Sequence, residues 1–137
     1  MTHDSRRTAE ELARREFDVW NGEADVADVY AADAVYHDGF GRRHDRDALV
    51  DYVANTRETF PDFRVRPERV LVDGDTAASR YSIGGTMAGT FHGFEPTGES
   101  FEIHGFVSHR IADGAIVETW NAVNALSMAE QLGLLDG

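Results

Sequence analysis

The chain has 137 residues, of which 42% are hydrophobic and 28% charged, so we expect one soluble globular domain over residues 1–137. A formal net charge of −12 argues against a nucleic-acid partner, because phosphates would be repelled. The absence of Cys excludes disulfides and thiolate metal sites, and no run of about 18 apolar residues predicts a membrane span. The polar N-terminal segment lacks the apolar core of a secretory signal, so we expect a cytoplasmic protein.

The first half of the chain has the hydrophobic spacing of helices. A helix is predicted over 8–20, opened by the capping box TAEE and closed by the Asn-Gly pair that follows Trp20. A short second helix is expected over 25–30, before an apolar stretch at 35–37. A third helix is predicted over 45–59, stopped by the Phe-Pro-Asp sequence after it.

From residue 63 onward the hydrophobic period changes to two, which predicts strands. The predicted strands span residues 63–72, 76–87, 101–111 and 115–123. The pair Gly84-Gly85 is expected to form a bulge or bend, and a last helix is predicted over 126–134. Helices followed by a meander predict an α+β domain, with the helices packed on one face of a curved antiparallel sheet.

Alternation along the last two predicted strands sorts their side chains into two faces. Val107 and His109 share a face of one strand, and Thr119 and Asn121 share a face of the next. Both faces mix polar and apolar side chains, so one could line a cavity or core and the other a subunit interface. Asparagine is unfavourable in strands, so something other than local propensity accounts for Asn121.

The histidines are the natural candidates for proton transfer near neutral pH. His37 ends a short apolar stretch, where a cavity position and a hydrogen-bonded or exposed position are both open. His104 and His109 fall on opposite faces of one predicted strand, which is not a metal-ligand spacing, so we expect no metal. The sequence also contains no phosphate-binding glycine loop and no G-x-S-x-G elbow.

Aromatic side chains of the N-terminal half could line an apolar pocket with tyrosine hydroxyls as its polar points. Each of them could equally belong to an ordinary core. These side chains are Trp20, Tyr30, Tyr36, Tyr52 and Phe60.

Four segments of the chain, in order, resemble the SnoaL-like polyketide cyclases of the nuclear-transport-factor-two-like superfamily. They are FDVWNGEADVADVYAADAVYHDG, TFPDFRV, GTFHGFEPTGESFEIHG and HRIADGAIVETWNAVNALSMAEQLGLL, which together span nearly the whole chain. The resemblance implies a cone-shaped sheet around an apolar pocket that the helices close, and a homodimer through the outer sheet face. Cyclases of this family close a ring on a polyketide ester by an intramolecular aldol reaction, without cofactor or metal.

The same resemblance places the catalytic aspartate of the cyclases at Asn121. Its polar partners on the preceding strand fall at Gly105 and Val107, and a short-strand asparagine falls near Tyr36. We therefore interpret Asn121 as a pocket residue whose amide can orient a carbonyl or a water, or stabilise an oxyanion, but cannot act as a base. A base would have to come from elsewhere, and a histidine is the expected source.

The sequence thus predicts a pocket for a small apolar molecule and a cofactor-independent cyclase, isomerase or hydrolase acting on a carbonyl or ester compound. Expected catalytic residues are His37, His109 and Asn121. Expected substrate contacts are Trp20, Tyr36, Tyr52, Phe60, Val107 and Thr119. Two alternatives stay open: a pocket that binds a metabolite without chemistry, and a structural dimer with a filled core.

Overall fold

The computed structural model describes residues 3–135, which form three α-helices and six strands. The helices are α1 (His3–Trp20), α2 (Arg46–Thr59) and α3 (Ala125–Gln131), and a single 3-10 turn spans Val26–Asp28. The strands are β1 (Tyr30–His37), β2 (Arg43–Asp45), β3 (Arg64–Asp73), β4 (Thr76–Thr86), β5 (Ser100–Ala112) and β6 (Ala115–Val123).

The strands form one curved sheet in the order β2-β1-β6-β5-β4-β3. Strands β3 to β6 make the predicted antiparallel meander. Strand β1 runs parallel to β6, with Tyr36 opposite Thr119, so the sheet is mixed. The α+β fold with a curved sheet is therefore confirmed, and the parallel strand is added to it.

The core lies between the helices and one face of the sheet. Along β5 the inward residues Ile103, Val107 and His109 are buried, while Phe106 between them is exposed. Burying a large apolar side chain such as Ile103 or Val107 stabilises the folded state by about 1.5–3 kcal/mol. Alternation therefore decides which side chains of β5 and β6 can reach the helices.

The end of α1 is held firmly against its neighbours. The helix ends where predicted, because Gly22 has the positive φ of 78° that closes it. The Asn21 side chain donates to the Val65 carbonyl at 3.0 Å and accepts from the Val65 amide at 2.8 Å. The Arg57 guanidinium donates to the carbonyl of Trp20 at 2.8 Å. These bonds fix the last turns of α1 over the sheet.

Predictions for the N-terminal elements need two corrections. Helix α1 already begins at His3, so Thr8 lies inside the helix and is not its cap. The second helix is only one 3-10 turn, because Tyr30 is buried and pairs with Ile116 as the first residue of β1. The short polar strand β2 had no apolar pattern that could reveal it.

Of the bulge or bend predicted at Gly84-Gly85, the bulge is wrong. Strands β4 and β5 pair without a shift from Thr76 to Thr86. The glycines instead allow close packing, since a Cβ on Gly84 would lie 2.9 Å from the Phe101 carbonyl oxygen. Near the C-terminus, α3 is shorter than predicted and ends at Gln131. Within residues 3–135, no helix is both long and apolar enough to cross a membrane.

Candidate functional site

A mostly apolar cavity of about 70 Å³ lies between α1 and the inner face of the sheet. Its wall is formed by Glu16, Phe17, Trp20, Tyr36, Phe63, Val65, Tyr81, Ile83, Val107 and Asn121. Four of the residues expected from the sequence meet there, namely Trp20, Tyr36, Val107 and Asn121.

Glu16 is the ionisable carboxyl of this wall. It lies on the inner side of α1, one turn before Trp20, and is only 2% exposed. Its Oε2 accepts hydrogen bonds from Trp20 Nε1 and from the Tyr30 hydroxyl, each at 2.8 Å. Burial raises the pKa of Glu16 to about 7, although these two hydrogen bonds act in the opposite direction. The carboxyl can therefore exist in both protonation states near neutral pH.

A chain of hydrogen bonds connects Glu16 to His109 by way of Tyr30 and Thr119. Thr119 Oγ1 donates to the Tyr30 hydroxyl at 3.2 Å and lies 2.7 Å from His109 Nδ1. His109 Nε2 lies 3.9 Å from Glu16 Oε1 and has no hydrogen-bond partner among the described residues. Burial lowers the pKa of His109 to about 3, so its imidazole is neutral at physiological pH.

Asn121 is held by Tyr81, whose hydroxyl donates to Asn121 Oδ1 at 2.5 Å. Tyr81 lies opposite Gly105 on β5, and a Cβ on Gly105 would collide with the tyrosine hydroxyl and Cζ. The bare glycine therefore lets the ring reach across β5 to β6. Burial raises the pKa of Tyr81, so the hydroxyl stays protonated. With Oδ1 occupied, the NH2 group of Asn121 is the part of the amide left to bind a ligand.

His37 lies on the outer side of the sheet, so the expectation that it reaches the cavity is wrong. Tyr36 points inward, and adjacent strand residues point to opposite faces. His37 Nε2 lies 2.8 Å from Glu118 Oε2, and its ring stacks on Trp120 at 5.6 Å between centroids. The hydrogen bond from His37 is the main reason that the pKa of Glu118 is lowered.

The other expected site residues lie outside the cavity wall. Tyr52 packs edge-on against Trp20, with ring centroids 5.5 Å apart. Phe60 packs against Phe101 at 5.2 Å, near the β4–β5 loop. Thr119 and His109 are fully buried behind Glu16, so the expectation that they contact a ligand directly is wrong.

Glu16 was not among the site residues predicted from the sequence, although the sequence contains a signal for it. The inner stripe of α1 reads Leu12, Ala13, Glu16, Phe17 and Trp20, all spaced for one helical face. A lone acid within such an apolar stripe is costly to bury unless it has partners, and this one has them on α1 and β1. No group of three His, Asp or Glu side chains within residues 3–135 could hold a metal ion.

Comparison with known proteins agrees with this architecture. The sequence model of the SnoaL-like polyketide cyclase family matches residues 10–132, so the chain belongs to that family and the resemblance is confirmed. The candidate polyketide cyclase IdmH from Streptomyces antibioticus is 28% identical, with a TM-score of 0.78 over 91% of this chain and 98% of its own. No match was found among curated proteins.

Two further crystal structures show the same fold at lower identity. A candidate SnoaL-like polyketide cyclase from Jannaschia sp. CCS1 is 20% identical, with a TM-score of 0.86 over 96% of each chain. AclR from Streptomyces galilaeus, a candidate hydroxylase, is 23% identical, with a TM-score of 0.81 over 95% of this chain and 98% of its own.

Proposed function

We propose that the protein binds a small, largely apolar carbonyl or ester compound and catalyses proton transfer on it without a cofactor. The observation that carries the proposal is the carboxyl of Glu16, whose pKa is raised to about 7 in the wall of an apolar cavity. A titratable group with such a pKa in a cavity is typical of a catalytic acid or base.

In this proposal Glu16 replaces the histidine base expected from the sequence. The Glu16 carboxylate takes a proton from the carbon next to the carbonyl, and the electrons of that C–H bond form the enolate. A positioned base of matched pKa contributes about a hundred- to ten-thousand-fold in rate. The NH2 group of Asn121, oriented by Tyr81, donates to the developing oxyanion.

The fate of the enolate distinguishes the reactions open to this site. Attack on a second carbonyl closes a ring and gives an alkoxide, which recovers the proton from Glu16, as in a cyclase. Return of the proton to another carbon gives an isomerase. Family membership and the description of IdmH as a candidate polyketide cyclase favour the ring closure.

Exchange of carbon-bound hydrogen tests the proposed step without knowledge of the natural substrate. Small apolar ketones and esters are incubated with the protein in heavy water, and loss of the proton signal next to the carbonyl is followed by NMR. We expect Glu16→Gln to abolish the catalysed exchange and Asn121→Ala to slow it at least tenfold. Glu11→Gln, an exposed acid of the same helix, is the matched control. Equal exchange by Glu16→Gln and wild type would refute the proposal.

The size of the cavity favours a second candidate, a module that binds or assembles without chemistry. A volume of about 70 Å³ is well below the roughly 300–1,000 Å³ of ordinary small-molecule pockets. Apolar carbonyl compounds that raise the thermal unfolding midpoint without undergoing exchange would select a binding module, and a panel that does neither would select a structural one.

The outer face of the sheet supports the homodimer that the family resemblance implies. Leu71, Phe106 and Trp120 are 56%, 61% and 44% exposed around a shallow apolar depression of about 360 Å³. Contiguous exposed apolar surface is typical of protein interfaces. We propose that a second copy of the chain covers this face.

A further inference from the structure

Three tyrosines of the inner sheet face are almost fully buried, and the hydroxyls of two of them have partners. The hydroxyl of Tyr30 lies 2.8 Å from Glu16 Oε2. The hydroxyl of Tyr81 donates to Asn121 Oδ1. The third tyrosine, Tyr36, is 3% exposed, and its hydroxyl forms no hydrogen bond to any described residue. Its phenol is thus left to bind something else.

The Tyr36 hydroxyl faces the cavity. Among the described residues, the fully enclosed side-chain oxygen and nitrogen atoms without a hydrogen-bond partner are Ser79 Oγ and His109 Nε2. The Tyr36 hydroxyl also has no partner but is not enclosed in this way, so it borders open space. Tyr36 forms part of the cavity wall, and the cavity is the open space that it borders. The hydroxyl is therefore accessible to a ligand in the cavity.

Tyr36 and Asn121 project from adjacent strands toward the same space. Tyr36 on β1 lies opposite Thr119 on β6, and these two strands are parallel. Asn121 follows Thr119 by two residues, which is about 6–7 Å along the strand and returns to the inner face. Both Tyr36 and Asn121 belong to the cavity wall. Donors from both strands can therefore approach one ligand oxygen.

The packing of this wall does not account for the hydroxyl of Tyr36. A phenylalanine would fill the same place, and a buried hydroxyl without a partner is unfavourable unless a ligand binds to it. Burial, and after it the nearby charge of Glu16, raises the pKa of Tyr36 well above its usual value. The phenol therefore keeps its proton near neutral pH and can donate it in a hydrogen bond.

We propose that the Tyr36 hydroxyl donates a hydrogen bond to the carbonyl oxygen of the substrate, beside the NH2 group of Asn121, and that these two donors hold the enolate. The inference rests on the proposed function, in which Glu16 forms that enolate. Tyr36 is then a catalytic residue, because it touches the reacting oxygen. The phenol donates without giving up its proton, so the proton taken from the substrate stays with Glu16.

The two donors act at the atom where negative charge develops. Their hydrogen bonds strengthen as the carbonyl oxygen becomes an enolate oxygen, so they lower the barrier more than they tighten the binding of the ground state. Removal of one such donor lowers kcat about a hundred- to a thousandfold. For Tyr36→Phe we therefore expect a loss in kcat with little change in KM.

The stretching frequency of a bound carbonyl provides a test that does not depend on turnover. Cyclopentanone with a labelled carbonyl carbon is bound to the protein, and its C=O band is isolated by isotope-edited infrared spectroscopy. We expect wild type to shift the band to lower frequency than in hexane, and Tyr36→Phe to shift it less. Tyr52→Phe, which removes a hydroxyl outside the cavity wall, should match wild type. Equal bands in wild type and Tyr36→Phe, or no displaced band in wild type, would overturn the proposal.

The heavy-water exchange assay supplies the second arm. We expect Tyr36→Phe to exchange about a hundredfold more slowly than wild type, and Tyr52→Phe to exchange as fast as wild type. An infrared shift that depends on Tyr36 without any exchange in wild type would retain the carbonyl site and reject the proposed function. Exchange that needs Glu16 but is as fast in Tyr36→Phe would retain the proposed function and reject the role of Tyr36.

Thermal unfolding separates this role from a structural one. Tyr36→Phe removes a hydroxyl that has no partner among the described residues, so we expect it to be at least as stable as wild type. A clearly lower unfolding midpoint would mean that the hydroxyl is already bound within the protein, and it would overturn the proposal.

Discussion

The hydroxyl of Tyr81 on β4 donates a hydrogen bond to Asn121 on β6, although β5 lies between these strands. The bond exists because Gly105 on β5 has no side chain to block the tyrosine ring. The inward side chain at position 121 is thus a neutral amide held by a phenol. The carboxyl of this cavity is instead Glu16 of α1.

The coupling between Tyr81 and Asn121 is measurable by a double-mutant cycle. Tyr81→Phe and Asn121→Ala should each lower the free energy of unfolding by about 1–2 kcal/mol, because each leaves a largely buried polar group without its partner. The double variant should lose about 1 kcal/mol less than the sum. Urea unfolding of the four proteins provides the measurement. Strict additivity would show that the hydrogen bond contributes nothing to stability.

Gly105→Ala should destabilise the protein by about 1–3 kcal/mol, because the added methyl group displaces the Tyr81 ring. Ser108→Ala on the outer side of the same strand should change the stability by less than about 0.5 kcal/mol. Thermal unfolding compares the two. A Gly105→Ala variant as stable as wild type would mean that the ring does not occupy this place.

Glu16 should make the protein less stable as the pH rises through neutrality. Its pKa is about 7 in the folded protein and 4.5 for an ordinary solvated glutamate, as in an unfolded chain, so between these values the folded state binds more protons. The stabilisation is complete below pH 4.5 and is lost as the pH rises through about 7. Its magnitude is about 3 kcal/mol, from about 1.4 kcal/mol for each pKa unit.

Glu16→Gln removes this dependence while keeping the size of the side chain. Raising the pH from about 5 to about 8 should therefore lower the unfolding free energy of wild type relative to that of the variant. Glu11→Gln, exposed on the same helix, should leave the pH dependence unchanged. Parallel curves for wild type and Glu16→Gln would contradict the raised pKa.

A larger side chain at Val107 should fill the cavity and exclude ligands. We expect Val107→Phe to weaken binding of an apolar carbonyl compound at least tenfold, whereas Ala122→Phe on the outer face should not. The emission of Trp20, isolated in a Trp120→Phe background, reports binding because Trp20 lines the cavity. Equal affinity of both variants would place the ligand elsewhere.

A charge on the outer face should prevent the proposed dimer. Phe106→Asp places a carboxylate within the exposed apolar surface, where its burial against a second copy would be costly. The variant should be monomeric by analytical ultracentrifugation at concentrations where wild type is a dimer. Leu126→Asp, equally exposed but on α3, is the control. A wild-type monomer would refute the dimer itself.

The hydrophobic period revealed the meander and the two long helices, because alternation and helical spacing are local properties of the sequence. It did not reveal the network around Glu16, since the contacts of Glu16 with Tyr30 and His109 join residues from three separate elements. His37 was misplaced for a different reason. Tyr36 points inward, so strict alternation along β1 makes His37 point outward. The hydrophobic pattern did not reveal the full extent of β1 as a strand.

Asn121 could be assigned to the inner face from the resemblance and the strand register, but its partner could not. Tyr81 reaches it only across Gly105, which requires the register of three strands to be known together. Long-range register of this kind is set by packing and turn geometry rather than by local propensity.

The measurement that tests this account most directly is an NMR titration of the Glu16 carboxyl carbon, assigned by the loss of its signal in Glu16→Gln. We expect a midpoint of about 7, because the carboxyl is buried in an apolar wall. A midpoint near 4.5, the value of an ordinary solvated glutamate, would contradict it.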